Sequence, residues 1–148
     1  MLGSKDVKKT GGLFPLITFA ICSIVSASIS AFDGDVRVDD GSLGARVKPA
    51  IALDKEGNIY VVWHDDREGM WNWTVYFAKS TDGGKTFGPN VRVGSSSMWF
   101  RCPPSIAVDD SGNIYVAWYD EGWWMLGEDF DIYLAKSTDG GASFGPRV

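Results

Sequence analysis

The sequence predicts an all-β fold built from a repeated antiparallel unit, and three observations carry that expectation. The chain is rich in Gly (18), Trp (7), Phe (8) and Tyr (5), a composition of strands joined by tight turns. Short apolar runs alternate with Gly, Asn and Asp clusters, and no stretch has the 3.6-residue period of a helix. The chain also repeats itself: Pro49-Ala50-Ile51-Ala52-Leu53-Asp54 returns as Pro104-Ser105-Ile106-Ala107-Val108-Asp109 at a shift of 55 residues. Gly57-Asn58-Ile59-Tyr60-Val61-Val62-Trp63 returns at the same shift as Gly112-Asn113-Ile114-Tyr115-Val116-Ala117-Trp118. Beyond Asp65 and Asp120 the shift grows to 57, and Ala78-Lys79-Ser80-Thr81-Asp82-Gly83-Gly84 returns as Ala135-Lys136-Ser137-Thr138-Asp139-Gly140-Gly141. A period of this size marks a solenoid, a propeller or an array.

The 148 residues, 45% hydrophobic and 22% charged, suit one modest globular domain or two small ones and exclude wholesale disorder. The net charge of −5 and a pI near 4.7 argue against a nucleic-acid role driven by phosphate neutralisation. Two cysteines, Cys22 and Cys102, cannot make a disulfide framework. Cys102 reads as a small hydrophobe beside a strand, with a reactive thiol as the alternative.

Residues 1–31 read as an export segment. Lys5, Lys8 and Lys9 form a positive opening, Leu13–Val25 is an apolar run, and Ser26–Ala31 offers the small residues that signal peptidase prefers. Leu13–Phe32 carries no charge, so the same segment, if retained, is long enough to serve as a transmembrane anchor. Either fate places the rest of the chain outside the cell or on its surface, with a membrane involved only if the segment stays.

The remainder divides in order. Residues 32–48 are expected to hold an orphan outer strand, Val36–Val38, and a linker, because Val36-Arg37-Val38 matches Val91-Arg92-Val93. Residues 49–93 form a complete unit: a strand from Pro49, a hairpin at Lys55-Glu56-Gly57-Asn58, strands at Asn58–Trp63 and Thr74–Lys79, and a short fourth strand at Val91–Val93. Residues 104–148 form a second, incomplete unit with a hairpin at Asp110-Ser111-Gly112-Asn113 and a third strand at Asp131–Lys136. Four antiparallel strands in about 55 residues make a propeller blade. The predicted fold is thus a partial β-propeller of about two blades. Two blades are fewer than the three or so repeats that stacking needs. The chain is therefore expected to be a fragment of a larger propeller or to assemble, three copies of two blades making six, with Val36–Val38 completing a neighbour's blade.

Ser80-Thr81-Asp82-Gly83-Gly84-Lys85-Thr86-Phe87 and Ser137-Thr138-Asp139-Gly140-Gly141-Ala142-Ser143-Phe144 resemble the Asp-box, the bacterial neuraminidase (BNR) repeat S-x-D-x-G-x-[ST]-[FW]. The resemblance covers nearly all of residues 32–148 and implies the sialidase-like propeller. It implies that Ser80, Asp82, Gly84 and Phe87, with Ser137, Asp139, Gly141 and Phe144, are structural: the Asp staples a turn, the glycines supply positive φ, and the aromatic plugs the blade.

The same resemblance implies, for an active sialidase, a clamp of three arginines on the sugar carboxylate, an acid/base Asp and a Tyr activated by a Glu. Guanidinium forks bind carboxylates bidentately. Arg101, in Phe100-Arg101-Cys102-Pro103, and Arg67, after Trp63-His64-Asp65-Asp66, are the clamp candidates, with Arg46 a weaker third. Arg101 sits one residue out of register, and Arg67 lies in the other copy, where Gly122 takes its place in the second. Glu68 follows Arg67, and Glu128, Asp129 and Asp131 cluster on the corresponding second loop. The remaining clamp arginines and the Tyr–Glu pair are expected from blades beyond this chain. As solvated rim charges, the same arginines would contribute little.

Trp63 and Trp118 end equivalent strands and read as core. Trp71, Trp73, Trp99, Trp123 and Trp124 read as loop aromatics, suited to stacking on sugar rings or to a protein interface, where Trp is enriched. Asp65-Asp66 and Asp120-Glu121 offer oxygen ligands without the spacing of a cation loop, so no metal or cofactor is expected. The expected function is an exported, non-catalytic carbohydrate- or protein-binding module. Its partners are a glycan, a surface protein, or further blades in cis or in trans. The alternative is the N-terminal part of an exo-sialidase-type glycoside hydrolase.

Overall fold

The computed structural model describes residues 34–69, 72–96, 103–121 and 130–148, with the backbone alone at residues 121 and 130. The expected export segment and Cys102 lie outside these residues. Strands β1 (Arg46–Leu53), β2 (Ile59–Asp65), β3 (Trp73–Ser80) and β4 (Val91–Ser96) form a four-stranded antiparallel sheet in sequence order. Strands β5 (Ser105–Val108), β6 (Ile114–Glu121) and β7 (Phe130–Ser137) form a three-stranded sheet of the same order. No helix occurs among the described residues.

Two strand boundaries lie three residues from their expected places. β1 begins at Arg46, upstream of Pro49, because the chain accommodates the proline in a bulge between Val47 and Ala50. Proline has no N–H to give a ladder, and the bulge removes the demand for one. β4 runs on to Ser96. Residues 36–38 carry no strand pairing. They are tied down instead by side chains: Asn90 Oδ1 accepts from the Asp40 N–H at 3.0 Å, and Asn90 Nδ2 reaches the Val38 carbonyl at 3.4 Å.

The hairpins and turns are local and nearly identical in the two copies. Asp54 accepts from the Asn58 N–H (2.9 Å), Asn58 Nδ2 (2.7 Å) and the Tyr60 hydroxyl (2.7 Å). Asp109 accepts from the Asn113 N–H (2.8 Å), Asn113 Nδ2 (2.7 Å) and the Tyr115 hydroxyl (3.1 Å). At the Ser-Thr-Asp-Gly-Gly turns, the Ser80 hydroxyl donates to Asp82 (2.7 Å) while accepting from the Gly84 N–H (2.8 Å). Asp82 also receives the N–H and hydroxyl of Thr86 at 3.0 and 2.6 Å. Ser137, Asp139, Gly141 and Ser143 repeat this pattern at 2.5 to 3.0 Å. Both aspartates are held far below the usual carboxylate range, chiefly by the Thr86 and Ser143 hydroxyls.

Alternation along the strands gives each sheet two unlike faces. On the first sheet, Val62, Val75 and Phe77 share one face, and Val61, Trp63, Tyr76 and Ala78 the other. The second sheet packs its Val116, Trp118 and Ala135 face onto the Val62, Val75 and Phe77 face of the first, forming the main core. Two glycines permit this approach. A Cβ on Gly94 would meet the Trp118 ring at 2.5 Å, and a Cβ on Gly141 (φ +93°) would strike Phe77. Phe144 meets Phe77 of the first sheet edge-on at 5.3 Å, and Phe87 packs with Trp63 and Tyr76 on the opposite face. Trp63 and Trp118 are core residues, as their strand positions predict.

Candidate functional site

In each sheet the register gathers one set of strand ends at one rim. Arg46 pairs with Asp65, Thr74 with Asp65, Trp73 with Ser96, and Phe130 with Glu121. The ends that flank the expected loop aromatics therefore lie at this rim, opposite the Ser-Thr-Asp-Gly-Gly turns. Trp71, Trp99, Trp123, Trp124 and Arg101 fall outside the described residues. Trp73 does not lie on a loop: it opens β3 and is only 4% exposed. The alternation of the strand turns its ring inward, so it presents no face to a ligand.

The charged centre of the rim is Asp65, whose side chain is fully buried. Its carboxylate accepts from Trp63 Nε1 (3.1 Å), Arg67 Nη2 (2.6 Å) and the Arg67 N–H (2.9 Å), and lies 3.2 Å from Arg46 Nε. Burial pulls the acid upward, but the bonds from Arg67 and Trp63 outweigh it and hold Asp65 below the usual range. Arg67 in turn is raised, first by its bond to Asp65. Its second Nη reaches Asp40 at 2.6 Å, Nη2 also meets Asn90 at 3.0 Å, and the guanidinium lies 4.2 Å above the Tyr76 ring. Arg46 donates to the Gly44 carbonyl and the Ser42 hydroxyl, both at 2.6 Å, and sits 3.6 Å from Asp39. Two of the three clamp candidates thus converge, but on carboxylates of the chain itself.

Glu68 also has fixed partners. It accepts from the Tyr76 hydroxyl and from Arg92 Nε, both at 3.0 Å. This is a Tyr–Glu pair, yet burial and then the Glu68 bond push the Tyr76 hydroxyl upward. An activated phenolate nucleophile needs the opposite shift, and Tyr76 is buried beneath Arg67. Glu68 thus ties the loop after β2 to β3 through Tyr76 and to β4 through Arg92.

The second copy builds the same arrangement from a different residue. Tyr133 corresponds to Tyr76 and Asp120 to Asp65. The guanidinium over Tyr133, at 3.9 Å, belongs to Arg147, which donates to Asp120 at 2.7 Å and to the Ser95 carbonyl at 3.1 Å. Arg147 aligns with Asn90, not with Arg67. Segment 38–40 also stands to the first sheet as Val93–Ser95 stands to the second. Val38 packs with Trp63 as Val93 packs with Trp118, and Asp40, like Ser95, receives the arginine.

The sequence reading did not anticipate Asp39, Asp40, Asn90 or Arg147. The signal for the centre was present, since Asp65 and Asp120 stand two residues after equivalent tryptophans. No group of three or more His, Cys, Asp or Glu placed to hold a metal occurs among the described residues.

These features define an all-β protein of repeated antiparallel sheets with a self-neutralised charged rim. No family model and no curated protein sequence matches the chain. Among solved structures, the fold is similar to a protein of unknown function from Dyadobacter fermentans DSM 18053, with a TM-score of 0.53 and 23% identity. That likeness covers 76% of this chain and 38% of the other. Zg3597, a family 117 glycoside hydrolase of Zobellia galactanivorans, aligns with a TM-score of 0.42 and 15% identity over 72% of this chain and 38% of its own. The chain spans 38% of the length of each, and at 23% identity the likeness to the Dyadobacter protein concerns the fold alone.

Proposed function

We propose that the two sheets are blades of an Asp-box β-propeller and that the exported chain is a binding module for carbohydrate or protein, without glycosidase activity of its own. The observation that carries this reading is the convergence of Arg46 and Arg67 on the buried Asp65. A clamp for a ligand carboxylate needs guanidinium donors facing open space, and these face Asp65, Asp39 and Asp40. The buried Tyr76, with its raised hydroxyl, supports the same conclusion. Binding then falls to the rim at which β1 begins, β2 ends and β3 begins.

The test uses the full chain in two assays. Release of a fluorophore from a sialoside is expected to stay at the buffer rate, and tryptophan emission is expected to shift on titration with a glycan that the rim binds. Hydrolysis abolished by Arg67→Ala would overturn the reading in favour of a sialidase-type glycosidase. Emission indifferent to every glycan but changed by a protein partner would assign the rim to protein.

A further inference from the structure

The outer faces of the two sheets differ. On the first sheet, Val61, Trp63, Tyr76 and Ala78 are buried within the chain, with Val38 and Phe87 packed against them. On the second sheet, the face turned away from the first is open. Its Tyr115, Ala117, Tyr119, Ile132 and Leu134 correspond by the repeat to Tyr60, Val62, His64, Val75 and Phe77, all of them buried on the face that the second sheet covers. Val75 and Phe77 are 0% and 1% exposed, whereas Ile132 and Leu134 are 73% and 38% exposed. Tyr115, Ala117 and Tyr119 are half-buried beside them. Monomeric proteins seldom group large apolar side chains in the open unless a partner covers them. The stack of sheets is thus closed at one end and open at the other.

We infer that the open face of the second sheet receives a third antiparallel unit of the same repeat, which lays on it a face of the Ile114, Val116, Trp118 and Ala135 kind. The inference rests on the reading of the sheets as blades and adds a direction to it: further units stack on the second sheet and not on the first. Three observations favour this occupant over an unrelated apolar partner. The open face matches, position for position, one that a unit of this repeat already covers. The backbone is prepared as well, because Leu134 exchanges both of its backbone hydrogen bonds with Val148 at 3.0 Å, where Phe77 pairs with Val91 at the start of β4. A strand in that position completes the second sheet as β4 completes the first. Charge agrees. Lys79 lines a groove of about 540 Å³ together with Asp139 of the covering unit, and the equivalent Lys136 stands exposed, ready for the acidic turn of the next. A second copy of this chain has no face of the required kind to offer, since its Ile114 face is used internally and the matching face of its first sheet is closed.

The test extends the full chain by a second copy of its residues 92–148 placed after Val148, which keeps the repeat in register because Val148 aligns with Val91. Ile132→Ala is then compared with Val75→Ala in both chains by urea unfolding. Val75→Ala probes the existing interface and should destabilise both chains. Ile132→Ala should leave the unextended chain nearly unchanged, because its side chain is largely exposed. In the extended chain it should lower the folding constant at least about 30-fold, as the loss of a buried aliphatic side chain does. An Ile132→Ala effect that is the same in both chains, beside a Val75→Ala loss in each, overturns the inference and leaves the packing of the two sheets as described. Sedimentation supplies a second arm, in which the unextended chain should be monomeric. A dimer that Ile132→Asp dissociates assigns the face to a second copy and overturns the inference too. Neither readout involves a glycan, so the outcome is independent of what the rim binds.

Discussion

The two copies solve one electrostatic problem with arginines from different places. In the first, Arg67 comes from the loop after β2, crosses Tyr76 and reaches the buried Asp65. In the second, the corresponding position is glycine, and Arg147 arrives from beyond β7 to lie over Tyr133 and bind Asp120. The seam therefore demands a planar cation at a point in space, above a tyrosine ring and against an aspartate, whichever stretch of backbone supplies it. Guanidinium suits the position because it stacks on the ring and keeps in-plane donors for the carboxylate. The copies differ in depth. The first aspartate is fully enclosed and shared by two arginines, whereas the second is 13% exposed and its arginine 35%.

That difference in depth gives the largest expected effect. Asp65→Asn should destabilise the chain by about 3 kcal/mol, because it removes the buried carboxylate that Arg46 and Arg67 share and leaves them only Asp39 and Asp40 nearer the solvent. Asp120→Asn should cost about 1 kcal/mol, since water can solvate Arg147. Urea unfolding of the two variants decides the matter, and equal losses would break the distinction between the copies.

A transplant sharpens it. Arg67→Ala should cost about 2 kcal/mol, and adding Asn90→Arg should recover about half of that. The new arginine then starts from the position that Arg147 holds in the second copy. A double variant no more stable than Arg67→Ala alone would show that the loop after β2, not the point in space, sets the requirement.

The smallest effect concerns the hairpins. Burial of Asp54 opposes its ionisation, but hydrogen bonds from Asn58 and Tyr60 lower it from 3.8 to about 2. Its folded value is below its unfolded one, so its contribution is complete above pH 4 and is lost as pH falls from about 4 to 2. Burial and the same bond push Tyr60 from 10.0 up to about 12. The folded value is now the higher one, so this contribution is complete below pH 10 and is lost as pH rises from about 10 to 12. Carboxyl-carbon NMR of Asp54 and ultraviolet titration of the tyrosines report the two limits. Asn58→Ala should raise the Asp54 value, and an unchanged titration would remove the hairpin explanation.

Much of the strand layout was legible in the sequence because its causes are local. Asn58–Trp63 alternates between two faces, the Gly-Asn hairpins close within four residues, and Asp82 finds its donors at Ser80 and Thr86. Trp73 was misplaced for a related reason. It adjoins a loop in the sequence, and nothing within a few residues reveals that β3 begins with it. Val36–Val38 matches an outer strand in sequence and pairs with no strand among the described residues.

The chain by itself determined the repeat, the turns and the alternation that gives each sheet two unlike faces, since each depends on residues within one unit. Only the tertiary structure decided which face covers which and which charges meet. Asp40 and Asn90 lie 50 residues apart, Arg67 and Asp40 are 27 apart, and Arg147 and Ser95 are 52 apart. Contacts at such separations arise from one sheet packing against the next element, a geometry that no periodicity in the strands encodes.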